Sequence, residues 1–87
     1  MNEKNRIERK MAEVLGLCYE ISVNSEADCF FTYSPHVNGF DVVFHERGWK
    51  EDHDGEWLAM CKELTCDNLI AVLDKLYELK VDLGGEM

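Results

Sequence analysis

Apolar side chains recur at Ile7, Met11, Val14, Leu15 and Cys18, with Arg6, Glu8, Arg9, Lys10 and Glu13 between them. A spacing of three to four residues places one set on a single face of a helix and the other set in water. Asn2 or Asn5 is suited to cap its start, and it should fray out near Ser22-Val23-Asn24-Ser25. Gly16 costs such a helix about 1 kcal/mol relative to Ala, unless its missing side chain lets the helix approach a sheet closely.

The period then shortens to two. Asn38-Gly39 is a strong signal for a two-residue hairpin turn, because a type I′ turn needs positive φ at both central residues. With that loop, Val37 pairs with Phe40, residue 35 with 42 and residue 33 with 44. One face then carries Cys29, Phe31, Tyr33, Pro35, Val37, Phe40, Val42 and Phe44. The other carries Phe30, Thr32, Ser34, His36, Asp41, Val43 and His45, mostly polar. His36 faces Asp41 in this register, and His45 faces Thr32. Pro35 cannot donate to a ladder and marks an edge or a bend.

A second helical stripe runs through Leu69, Val72, Leu73, Leu76, Leu79 and Leu83, with Thr65 as its cap, Leu64 as a staple onto Leu69, and Gly84-Gly85 as its stop. Between hairpin and helix, Trp57, Met60, Cys61 and Leu64 fit a helical face. A two-stranded hairpin covers two helices poorly, however, and three strands are the usual minimum for a stable sheet. The expected fold is therefore α+β in the order α-β-β-β-α, a small antiparallel sheet with two helices on one face, residues 1–87 forming one domain.

Composition narrows the function. The chain carries 9 Lys and Arg against 18 Asp and Glu, a net charge of −9, with 46% apolar residues. That apolar share suits a folded domain, whereas the charge disfavours direct nucleic-acid binding, which needs clustered Lys and Arg. Acidity is concentrated between Glu46 and Glu56, where Glu51, Asp52 and Asp54 stand near only Arg47 and Lys50. Such a run is usually solvated loop; its sharper reading is attraction of a basic partner. No apolar run spans a membrane, and the start lacks a signal-peptide stretch, so a soluble cytoplasmic protein is expected.

Candidate chemistry adds little. Cys18, Cys29, Cys61 and Cys66 form no C-x-x-C motif, and without a secretory context reduced, mostly structural thiols are expected. His53 with Asp52, Asp54 and Cys61 has suitable ligand types for a metal. His36 and His45 lie too far apart to share an ion, since four strand residues span roughly 13 Å. Cys66 in the first helical turn, or Cys61, beside His45 or His53 defines the thiol-enzyme alternative. No phosphate loop or hydrolase motif is present. The expectation is a protein without cofactor or metal and without enzymatic activity.

Two resemblances bear on this. Phe31-Thr32-Tyr33-Ser34-Pro35-His36-Val37-Asn38, followed by Gly48-Trp49 and a Leu-rich closing helix, resembles a pattern in small acidic proteins of Gram-positive prophages and conjugative elements. That resemblance implies an α+β domain in a mobile-element context and no particular activity. The element order also resembles the double-stranded-RNA-binding domain, whose second helix opens with basic residues. Here that helix opens Thr65-Cys66-Asp67-Asn68, with no Lys or Arg before Lys75, so RNA binding does not carry over.

What remains is a protein-interaction module. Phe30 and Val43 interrupt the polar outer face, and Trp49 and Trp57 flank the acidic loop; such aromatics anchor binding hot spots. The expected surface comprises Phe30, Thr32, His36, Val43, His45, Trp49, Asp52, Asp54 and Trp57. Its partner is another protein, basic in the case where the carboxylates mimic nucleic acid, or a second copy forming a homodimer that serves as a self-associating structural protein.

Overall fold

A computed structural model describes residues 2–49 and 55–84. Helix α1 spans Glu3–Asn24 and strand β1 Asp28–Ser34; a single 3-10 turn, Pro35–Val37, leads into strand β2, Gly39–His45. Strand β3, Glu56–Glu63, and helix α2, Cys66–Gly84, complete the α-β-β-β-α order, so the segment with two sequence readings is a strand. The sheet is antiparallel in the order β1-β2-β3.

Each helix begins where its cap places it. Asn2 Oδ1 accepts the Asn5 N–H at 2.9 Å, which settles the cap of α1 on Asn2. Thr65 Oγ1 accepts the Asn68 N–H at 3.1 Å at the head of α2. Helix α2 runs through Gly84, and Gly85 lies outside the described residues.

The core lies between the inner sheet face and both helices. Phe40, Val42 and Phe44 of β2 meet Val14, Leu17, Cys18 and Ile21 of α1 and Leu69, Val72, Leu73 and Leu76 of α2. Leu15 is a correction to the expected stripe: it is 57% exposed, while Leu17 and Ile21 take the inner positions. Leu15 stands 100° round the helix from Val14, but residues 14, 17, 18 and 21 fall within one narrow arc. Gly16 is exposed, and nothing lies within 4 Å of where its side chain would be, so it serves no close approach to the sheet.

The hairpin departs from the two-residue turn, and Pro35 is the reason. Locked in φ and lacking an N–H, it starts a 3-10 turn that closes through the Asn38 N–H to the Pro35 carbonyl at 3.2 Å. Asn38 alone takes the left-handed conformation, with φ 50°. Gly39 becomes the first residue of β2, where a Cβ would come within 3.1 Å of the Lys62 carbonyl. The ladder therefore pairs Ser34 with Gly39, Tyr33 with Phe40, Thr32 with Asp41, Phe30 with Val43 and Asp28 with His45. Each β1 residue meets a partner four positions earlier than expected. Four is even, so the division into inner and outer faces survives along the strands. Pro35 and Val37 are exposed in the turn rather than on the inner face.

Candidate functional site: the outer face of the sheet

The outer face takes its character from one row that crosses all three strands. Phe30 on β1 is paired with Val43 on β2, and Val43 with Trp57 on β3. Phe30 is 46% and Trp57 48% exposed, with Val43 half-buried between them. Directly opposed side chains on neighbouring strands sit about 4.5–5.5 Å apart at Cβ, close enough to make a continuous apolar strip. The strip exists because alternation along β1 and β2 sends Phe30 and Val43 away from the core that Phe31, Val42 and Phe44 enter.

Polar groups bound it on both sides along the strands. Toward one end, His45 meets Phe30 edge to face, ring centroids 5.6 Å apart and planes at 89°. Beyond it a turn closes from the Gly48 N–H to the His45 carbonyl at 3.2 Å, with Gly48 at φ 88°. Asp28 Oδ2 then accepts the Trp49 N–H at 2.8 Å, which anchors the backbone of Trp49 beside the start of β1 while its side chain stays exposed. At Gly55, a Cβ would come within 2.6 Å of Val43 and 2.7 Å of the His45 ring, so the chain enters β3 pressed against this face.

Toward the other end, Thr32 is paired with Asp41. The register between β2 and β3 shifts between Phe40 and Val42 and again between Val42 and Val43, leaving Leu58 and Ala59 both buried. Cys61, at φ 49°, turns its N–H out of the ladder to Asp41 Oδ1 at 2.7 Å. Asp41 thus satisfies a donor that the irregular strand would leave unpaired. Met60, 55% exposed, follows the bulge.

Of the expected surface, Phe30, Thr32, Val43, His45 and Trp57 share this face, and Trp49 stands at its edge. His36 does not belong: the longer turn takes it off the strand to the exposed tip of the hairpin, and Thr32 replaces it opposite Asp41. His45 correspondingly faces Asp28, not Thr32. Asp52 and Asp54, with His53, lie outside the described residues.

The thiol–imidazole alternative finds no support at His45, and its other imidazole, His53, lies outside the described residues. Cys61 is tied to Asp41, four residues along β2 from His45, a separation of about 13 Å. Cys66 opens α2 at the opposite end of β3 from the His45 turn. Among the described residues, no three His, Cys, Asp or Glu side chains converge as metal ligands would. Among the described residues, too, no helix is long and apolar enough to cross a membrane.

Sequence reasoning missed two features. Met60 escaped because nothing in the residue pattern marks a bulge at Leu58–Ala59. Cys18 and Cys29 were each placed on an apolar face, but not against each other, although their sulfurs are 3.1 Å apart. The short connector from Asn24 to Asp28 held that signal, since it obliges the start of β1 to lie beside the last turns of α1.

Compared with known proteins, the chain matches no family model, no curated protein and no solved structure.

Proposed function

We propose that this protein is a non-enzymatic binding module that engages a basic protein through the outer face of its sheet. The observation that carries this reading is the Phe30–Val43–Trp57 row, an apolar strip on the face that neither helix covers. Half-exposed aromatics ringed by polar groups are the usual anatomy of a binding hot spot. The net charge of −9 supports a basic partner and opposes pairing of two copies, each repelling the other. The resemblance carried by Phe31 to Asn38 and by Gly48-Trp49 supports a cytoplasmic accessory role in a mobile element, and the acidity suits mimicry of nucleic acid toward a basic groove.

Affinity capture with matched variants tests the reading. A partner held by the wild-type chain should be lost by a Phe30→Ser/Trp57→Ser variant and kept by a Leu15→Ser/Tyr19→Ser variant on the exposed side of α1, with helical content unchanged in all three. Retention by the first variant and loss by the second would overturn it. Light scattering on the purified protein should give a monomer; a dimer abolished by Phe30→Ser/Trp57→Ser would replace the basic partner with a second copy.

A further inference from the structure

We propose that Cys18 and Cys29 are a redox modification site, a thiol pair that a low-molecular-weight disulfide of the glutathione class converts into an internal disulfide joining α1 to β1. The inference is independent of the binding reading above. Cys18 is buried on α1, Cys29 half-buried on β1, and their Sγ atoms are 3.1 Å apart. A disulfide needs about 2.0 Å, so closure asks for a movement of about 1 Å. A second feature holds the pair in place. Ser22 Oγ donates to the Cys18 carbonyl at 2.8 Å and accepts the Cys29 N–H at 3.0 Å, clamping the helical turn that bears one sulfur to the strand that bears the other.

The two thiols are unequal in a way that orders the chemistry. With both protonated, Cys29 donates its hydrogen to Cys18 Sγ. Once one proton has left, Cys18 keeps the other and hydrogen-bonds the Cys29 thiolate. That bond lowers the pKa of Cys29 and raises that of Cys18, which burial raises further. Cys29 is also the less buried residue of the two, and its sulfur is therefore the attacking one.

The Cys29 thiolate attacks oxidised glutathione: a Cys29–glutathione bond forms, the glutathione disulfide breaks, and one glutathione departs, taking up the proton Cys29 had released. Cys18 sulfur then attacks Cys29 Sγ, the internal disulfide forms, and the second glutathione leaves with the Cys18 proton. Two protein thiols are oxidised and one disulfide is reduced to two thiols.

The test equilibrates the full chain in a series of reduced and oxidised glutathione buffers, quenches with acid, alkylates free thiols and maps the peptides by mass spectrometry. The Cys18–Cys29 crosslink should appear at an oxidised-to-reduced ratio at least about tenfold lower than any glutathione adduct on Cys61 or Cys66, because its second step is intramolecular. A Cys61→Ser/Cys66→Ser variant should keep the crosslink. Cys18→Ala should instead trap glutathione on Cys29. Cys18 and Cys29 remaining alkylatable across the series, or wild-type protein accumulating only mixed disulfides, would overturn the assignment. Because Cys61 and Cys66 lie outside the core, the Cys61→Ser/Cys66→Ser variant decides the matter even if Cys18→Ala fails to fold.

Discussion

The Asp41 carboxylate on β2 accepts the backbone N–H of Cys61 on β3 at 2.7 Å, across the point where the ladder between those strands slips. The contact makes Asp41 a structural residue of the outer face rather than a partner for His36. A hydrogen bond to a charged group contributes about 1.5–3 kcal/mol, less where water competes, as it does here. Asp41→Ala should cost about 1–2 kcal/mol in urea unfolding, whereas Asp41→Asn, which keeps an acceptor, should cost less than half as much. Equal losses for the two variants would contradict the contact.

The hairpin carries a second prediction. Only Asn38 needs a left-handed backbone, and Gly39 needs space beside the Lys62 carbonyl. Asn38→Gly should be nearly neutral, and Asn38→Ala should lose about 1 kcal/mol. Gly39→Ala should also destabilise, since its Cβ would meet backbone at 3.1 Å. A two-residue turn would instead penalise any side chain at position 39 through its positive φ. A structure of Gly39→Ala distinguishes the two: β2 and β3 should be spread at Lys62, with the turn unchanged.

How far the fold was legible follows from that same hairpin. Hydrophobic alternation decides which face a side chain joins, and it does so for any even offset between strands, so Phe40, Val42 and Phe44 were assigned inward correctly under the wrong register. The offset itself is set by the turn, where the conformational lock at Pro35 outweighs the Asn38-Gly39 preference. The helices were legible through Thr65 and the leucine stripe. Leu15 was misplaced because a list of apolar positions does not fix the centre of the stripe. For the binding face, Phe30 and Val43 were legible by alternation and Trp57 only as an aromatic flanking the acidic loop; their alignment as one row was not legible, because it depends on the bulge after Trp57.

Gly16 offers a prediction of the opposite sign. It occupies an exposed helical site with nothing within 4 Å of a built Cβ. Gly16→Ala should stabilise the protein by about 0.5–1 kcal/mol, through helix propensity and a less flexible unfolded chain. Thermal unfolding reads the result as a raised melting temperature; a lowered one would show that α1 needs glycine there.

Tyr77 supplies a pH dependence. Its hydroxyl donates to Glu13 Oε2 at 2.6 Å, tying α2 to α1. That hydrogen bond, together with the nearby charges of Glu13 and Glu20, raises the Tyr77 pKa above the ordinary tyrosine value. The folded state therefore favours the neutral phenol. The contribution to stability is complete below the unfolded tyrosine pKa, about 10, and is lost as pH rises through the raised value. Ultraviolet titration should show Tyr77 ionising late, and Glu13→Gln should lower its midpoint. Late ionisation that persists in Tyr77→Phe would assign it to a different tyrosine.

In the free protein Phe30 and Trp57 are open to solvent with Val43 half-buried between them, and the proposed docking covers all three in the working complex. Hydroxyl-radical footprinting of the captured complex against the free chain measures this residue by residue. Labelling of Phe30 and Trp57 should fall severalfold on binding, with Leu15 and Tyr19 unchanged. Unchanged labelling of Phe30 and Trp57, with protection appearing on Leu15 and Tyr19 instead, would move the docking surface from the sheet to α1.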